Sequence, residues 1–375
     1  MIATRPAAAA DRLLLGKHVL VLAPVGGYGG FNTSVHRVRA LQSLGAVVRV
    51  IDSATDSIGR GAGWSRRLRS RLFRHGLPVP LNDASCDAVR LLDAAASGDW
   101  AMIWLEKALT LGAPALQALR ERCRAALIVG FSPDDMHARH NQSLQFMRAL
   151  PNYDAFLTTK SYNVEELERM GCRKACFIGN GYDPEAFRPL QASAGDIARL
   201  GGDIGFIGSY EPERAAAVIG LAAQGLSVRI WGNGWNTLAG RHSGLLVEGQ
   251  PLHGDDFARA CSAFTINLGF LRKLNRDQQT TRSVEIPACA GFMLAERTDE
   301  HRALFVEGQE AEFFSSAREL ADKCRHYLRH PQDARRIGQR GLARCLSGGY
   351  SNAARLARAL QPLIKDHGVG AAGHD

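Results

Sequence analysis

No run of apolar residues in this chain approaches the roughly 18–20 needed to cross a bilayer, which excludes an ordinary membrane-spanning helix. A signal-peptide core is missing as well: the alanine run Ala7 to Ala10 is interrupted by Asp11, so no secretory signal is expected. The eight cysteines follow no pattern. Cys172 and Cys176 stand four apart, but no second Cys/His pair follows at zinc-ligand spacing, so reduced thiols and a cytoplasmic location are expected. Neither a clean GxGxxG nor a P-loop lysine accompanies the first glycine-rich turn, so the two commonest phosphate-loop signatures are absent. Acidic residues vanish from Ser57 to Asn82, a stretch that includes RGAGWSRRLRSRLFRHG with six arginines. Trp64, Leu68 and Leu72 recur there at helical spacing. Residues 60–74 therefore read either as an interfacial helix for an anionic membrane or as a helix packed on the domain with a solvated basic face. The net charge of +9 favours anionic partners without choosing among nucleotide phosphate, anionic lipid and nucleic acid. Nucleic acid is set aside, because aromatic platforms and a known binding motif are missing.

What is present is a long chain with a repeated strand–helix order. A length of 375 residues fits about two domains. KHVLVLAP (17–24) is a strand, GGYGGF a turn, 33–44 a helix ended by Gly45, and AVVRVID (46–52) a second strand. That order is a βαβ unit and implies a parallel sheet. Further strands are expected at 101–105, 126–131, 154–158 and 175–179. A second series begins at residue 203 with DIGFIGS, continues through LSVRIWG, LLVEG and FTINLG, and ends with FMLA. The polar segment 189–201 reads as a linker, and Gly348 and Gly349 as a stop before a final helix. The expected division is 1–190, 200–348, a crossing helix at 349–366 and a disordered tail at 367–375.

Several loops leave these strands with chemistry on them. The turn at 26–30, with Gly29, lets backbone N–H groups approach a ligand, although a tight turn alone also wants two such glycines. GFSPDDMHARHN (130–141) places Asp134, Asp135, His137 and His140 at the carboxyl end of a strand, where open α/β sheets bind ligands. There a carboxylate or histidine can orient a hydroxyl or take its proton, or an aspartate can simply cap a helix. His137 and His140 lack a third metal ligand. GSYEPERA (208–215) enters a helix with Ser209 and Tyr210 in the loop and Arg214 one turn in, where it either pairs bidentately with a diphosphate or, taken on this segment alone, is a solvated helix arginine. WGNGW (231–235) offers the backbone of Gly232 and Asn233 to a nucleobase and an indole to stack on it or close the pocket, with core packing the expected role of Trp231. Asp277 and Glu285 stand eight positions apart with Arg282 close by, and Glu285 reads as the opening of the small-residue helix IPACA.

YDAFLTTKSYNVEEL, GNGYDPEAFRP, DIGFIGSYEPER, IWGNGW and TTRSVEIPACAGFMLAERTDEHRALFVEGQEAEFF together resemble the CgeB-like, spore-maturation-type branch of GT-B glycosyltransferases, related to retaining group-1 and group-4 types. The pieces span 153–314, and the last is the most specific. The resemblance implies an α/β fold of GT-B architecture: two Rossmann-like domains with a cleft between them and a C-terminal helix crossing back. It implies a nucleoside-diphosphate sugar as donor in the C-terminal domain, an acceptor mainly in the N-terminal one, and no essential metal or separate cofactor. Related retaining enzymes carry two glutamates with seven residues between; here Asp277 takes the first place and Glu285 the second. They also carry an arginine and a lysine after the first strand of the donor domain; here Ser209 replaces the arginine and Arg214 holds the lysine position.

The expectation is a hexosyltransferase acting on a hydroxyl of a glycan, lipid-linked sugar or small metabolite. Glu285 would bind the donor ribose or sugar, Asp277 would face the sugar, and Arg214, with Arg282, would neutralise the leaving diphosphate. Asp134, Asp135 or His137 would orient the acceptor. The expected location is cytoplasmic, at the inner membrane face if residues 60–74 bind lipid. Two rivals stand beside it: a GT-B-shaped recruitment protein without catalysis, and a nucleotide-sugar epimerase of the same architecture.

Overall fold

The computed structural model describes residues 12–26, 32–53, 68, 71–73, 75–77, 79–83 and 85–368. Gly29 and most of the basic segment 60–74, including Trp64, lie outside the described residues. The chain divides into two compact units, Met1–Gly179 with Asn352–Asp375, and Asn180–Ser351.

The first unit alternates strand and helix: β1 (His18–Ala23), α1 (Thr33–Ser43), β2 (Val47–Asp52), α2 (Asp87–Ala96), β3 (Met102–Glu106), α3 (Ala113–Arg122), β4 (Leu127–Ser132), α4 (Leu144–Ala149), β5 (Ala155–Thr158), α5 (Asn163–Arg169) and β6 (Ala175–Phe177). Its six strands lie in the order β2-β1-β3-β4-β5-β6, every pair parallel. Strands covered on both faces read as near-continuous apolar runs, which is why they stand out in the sequence. Successive side chains point to opposite faces. Leu20, Leu22, Ile103, Leu105 and Ile128 fill one core layer, while Val19, Val21, Met102, Trp104 and Val129 fill the other.

The second unit runs α6 (Ala194–Leu200), β7 (Gly202–Ile207), α7 (Pro212–Ala222), β8 (Val228–Trp231), β9 (Leu245–Val247), α8 (Gly254–Ala263), β10 (Phe264–Gly269), α9 (Arg282–Ala288), β11 (Met293–Glu296), α10 (Asp299–Leu304), β12 (Glu312–Phe314), α11 (Ala317–Arg329) and α12 (Pro331–Ser347). Its parallel strands are ordered β12-β11-β10-β7-β8-β9. The last helix, α13 (Asn352–His367), belongs to the first unit. There its Leu356, Leu360 and Leu363 pack with Ala40 and Leu41 of α1.

Two local expectations change. The segment 189–201 is not a bare linker, because α6 forms within it. Ser193 accepts from the backbone N–H of Asp196, and the Asp196 carboxylate accepts from the backbone N–H of Ser193, a reciprocal box that starts a helix despite the polar composition. The units divide at Gly179 and Asn180, ahead of this helix and of the expected boundary at 190. Strand β12 is only three residues long and was not singled out in the sequence.

The eight cysteines are free. Among the described residues no helix is long and apolar enough to cross a membrane, and no three His, Cys, Asp or Glu side chains converge as a metal would require.

Candidate active site

In the second sheet β7 and β10 are neighbours, yet the chain leaves β7 toward β8 on one side and β10 toward β11 on the other. Such a reversal opens a crevice at the carboxyl ends of the two strands, the usual ligand position in open α/β sheets. The segments that rim it are 208–211, after β7, and 270–281, after β10.

The first rim is held against the loop that follows β8. Gly208 donates its backbone N–H to the Trp231 carbonyl at 2.8 Å, Tyr210 donates to the Asn233 carbonyl at 2.9 Å, and the Trp235 indole donates to the Gly208 carbonyl at 2.8 Å. Trp231 and Trp235 are both buried. Trp235 therefore braces the loop from below and presents no stacking face, while Tyr210 packs edge-on against it and is the exposed aromatic here. Gly232 permits this approach: its φ is +153°, and a Cβ there would sit 1.9 Å from the Gly208 carbonyl oxygen. Gly232→Ala is therefore expected to push the two loops apart and to cost about 1–3 kcal/mol, the range for overpacking a tight contact. Faster hydrogen exchange at the amides of Gly208 and Tyr210, which bond the Trp231 and Asn233 carbonyls, is the check. Unchanged exchange there would mean that the loops part without strain.

Charge gathers where the two rims meet. The Arg214 side chain is 11% exposed. It donates through Nη1 to the Ser209 carbonyl at 3.0 Å, and its Nε is buried with no hydrogen-bond partner among the described residues. Burial pulls its pKa below the ordinary arginine value, against the opposing pull of Glu211, and arginine stays protonated in any case. Glu211 lies 3.8 Å from Arg214 Nη1 and 2.9 Å from Arg272 Nε. Asp277 is buried and close enough to act on Arg214 electrostatically. Its backbone N–H donates to the Arg272 carbonyl at 3.2 Å, closing a tight turn in which Arg276 is left-handed, φ 48°.

The second rim leads into α9. This helix begins at Arg282, so Glu285 is its fourth residue and does not open it. Thr281 already has helical dihedrals and supplies no side-chain cap, which leaves the start without the usual sequence signal. Glu285 is 2% exposed and accepts from Arg282 Nη1. Arg282 also donates Nε to the Ile207 carbonyl at 3.2 Å and lies over the Phe257 ring, 4.3 Å from its centre. One arginine thus ties α9 to the end of β7. The rest of α9 is fixed from behind. Ser283 Oγ lies 2.7 Å from His301 Nε2, and His301 Nδ1 lies 2.6 Å from the Glu296 carbonyl. Burial pushes the His301 pKa down and so favours the neutral ring that such a chain uses. Opposite, α12 comes so close that a Cβ on Gly338 would meet the Ala290 carbonyl at 2.6 Å.

Ser209, Tyr210, Arg214, Gly232, Asn233, Asp277, Arg282 and Glu285 therefore all lie on the second unit, around the end of β7 and the segments facing it. Arg272 joins them unannounced by any motif, because its partner Glu211 is 61 positions away in the chain, the difference between 272 and 211.

Asp134, Asp135 and His137 lie on the first unit, after β4. Asp134 pairs with Lys107, the left-handed residue directly after β3. Asp135 has no exposed surface, and its Oδ1 accepts from the backbone N–H groups of His137 and Ala138 and from Asn163 Nδ2. Those bonds give Asp135 the job of shaping the loop. His137 is half exposed, 3.6 Å from Glu166. A buried pair in the same unit had no sequence signal: Glu106, the last residue of β3, accepts from Arg37 Nε at 2.9 Å and from the Ser34 hydroxyl. Arg37 in turn lies over the Phe131 ring at 4.4 Å.

Residues 214–361 match a family model described as glycosyl transferase-like. No curated protein matches the chain in sequence. Among solved structures, the chain is similar to sucrose-phosphate synthase from Thermosynechococcus elongatus, with a TM-score of 0.64 and 14% identity over 93% of this chain and 98% of that one. Anabaena HepE in complex with UDP-glucose matches at a TM-score of 0.59 and 15% identity, covering 93% and 99% of the two chains. The α,α-trehalose 6-phosphate synthase from Burkholderia multivorans matches at 0.61 and 12% identity, covering 96% and 100%. The CgeB-like branch finds no separate support in these matches, whereas the broader kinship does: the chain has the GT-B fold, and from Arg214 to Gln361 it carries the pattern of a glycosyl transferase-like family.

Proposed function

We propose that this protein is a glycosyltransferase that takes a sugar from a nucleoside diphosphate held on the second unit and passes it to a hydroxyl acceptor. One observation carries the reading: within the family-matching segment, at the switch point of the sheet, stands a largely enclosed arginine, Arg214, whose buried Nε has no hydrogen-bond partner among the described residues. A buried N–H left unmade is costly, and a phosphate oxygen is the partner that suits it. HepE, of the same fold, was solved with UDP-glucose, which supports a nucleoside-diphosphate hexose as the class of donor.

In this reading negative charge grows on the leaving diphosphate beside Arg214, and positive charge grows at the anomeric carbon beside Asp277. Glu285 accepts from Arg282 through Oε2, and its Oε1 would accept from a hydroxyl of the donor. Asp134 and His137 are the acceptor-side candidates, while Asp135 holds their loop.

Incubation with a panel of nucleoside-diphosphate hexoses should release a nucleoside diphosphate from one of them, and product mass should show a glycosylated acceptor. Glu285→Gln, which keeps a hydrogen-bonding partner for Arg282, should lose most of that turnover. Full turnover in this variant would remove Glu285 from the reaction, and silence with every donor would remove the transferase reading.

A further inference from the structure

Glu211 occupies the position just before α7, where a short polar side chain normally caps the helix. It does not cap: no side-chain hydrogen bond to the first turn forms, and Pro212 follows it directly. Its carboxylate is instead held between two guanidinium groups, 2.9 Å from Arg272 Nε and 3.8 Å from Arg214 Nη1. One of these arginines comes from the first turn of α7, which follows the first rim, and the other from the second rim, after β10. Two cations converging on one carboxylate, beside the positive end of an 11-residue helix, form the arrangement that a phosphate oxygen would satisfy.

We propose that Glu211 is an internal stand-in for a donor phosphate, and that Arg272 is the second cation of the diphosphate site. The inference rests on the donor-site reading above and deepens it. Arg272 supplies a second positive charge beside Arg214, reached through the shared Glu211 carboxylate. When the diphosphate arrives, its oxygens take over Arg272 and Arg214, and the Glu211 side chain, already partly solvated, swings out toward water. No bond is made or broken; one anion replaces another. Part of the donor's binding energy is therefore used to displace Glu211, so a donor lacking the second phosphate gains too little to open the pair. The device discriminates for diphosphates over monophosphates.

The test is calorimetric titration of the full-length protein with UDP, GDP, ADP and dTDP, then with the monophosphate and nucleoside of whichever base binds best. Glu211→Gln should tighten the diphosphate by roughly 2–5-fold, since a partly exposed ion pair with Arg272 is lost as a competitor. Arg272→Gln should weaken it by roughly 10–100-fold, the span of a charge-assisted hydrogen bond. Binding of the bare nucleoside should stay unchanged in both variants, which separates loss of a phosphate contact from loss of the fold. A diphosphate that binds wild type and Glu211→Gln equally, or binds the variant more weakly, overturns the stand-in role while leaving the donor site in place. Unchanged diphosphate affinity in Arg272→Gln overturns the second-cation role in the same way. Absence of binding by all four diphosphates to the wild-type protein overturns the donor site itself, and this inference with it.

Discussion

Arg214→Ala is expected to lower the rate of sugar transfer by roughly 10²–10³-fold, the usual effect of removing one preorganised charge from a developing anion. The side chain is pinned by the Ser209 carbonyl and enclosed, so its charge needs no rearrangement at the moment of reaction. Its removal costs little elsewhere, because Glu211 keeps Arg272 as a partner. Arg214→Lys separates charge from shape. Lysine offers a point charge without the planar fork, so it should recover part of the loss and leave a deficit in kcat. Initial rates of nucleoside-diphosphate release for the three proteins are the check. Equal rates for arginine and alanine would dismiss the residue from the chemistry.

Glu106→Ala should be the most damaging single change to the fold of the first unit. Arg37 and Glu106 are both nearly sealed from water, and the pair is completed by the Ser34 hydroxyl and the face of Phe131. Removing the acid strands a guanidinium in the core, which costs about 3–5 kcal/mol. Against a total stability of roughly 5–15 kcal/mol for a typical protein, that is a large share. The chain has two units, so one global midpoint is the wrong readout. Hydrogen exchange at the amides of β1, β3 and β4 should rise while β7 and β10 stay protected. A double variant with Arg37→Met and Glu106→Leu should restore much of the protection, since a well-packed apolar pair often replaces a buried ion pair without loss. Unaltered exchange in Glu106→Ala would show that water reaches Arg37.

The strands were legible because sheets covered on both faces demand unbroken apolar stretches, as in LIVGFS and FTINLG, whereas Gly232, read as backbone offered to a nucleobase, is required by its close approach to Gly208. The start of α9 was misplaced by three residues, from Arg282 to Glu285, because Thr281 provides no capping bond to mark it. The helix at Ala194–Leu200 was hidden by its polar composition, although Ser193 and Asp196 carried the signature of its start. What no local pattern could reveal is pairing across the sheet. Arg272 with Glu211 and Arg37 with Glu106 join segments far apart in sequence, and only the strand order brings their ends together.

Titration of the wild-type protein with a nucleoside diphosphate and with the matching nucleoside bears most directly on a donor site at the ends of β7 and β10. The expected result is saturable binding of at least one diphosphate, at least tenfold tighter than its nucleoside if each charge-assisted phosphate contact contributes its usual ~1.5–3 kcal/mol, with the difference cut by roughly tenfold or more in Arg214→Ala. Equal affinities for diphosphate and nucleoside, or a preference undiminished in Arg214→Ala, would place the phosphates somewhere other than this crevice.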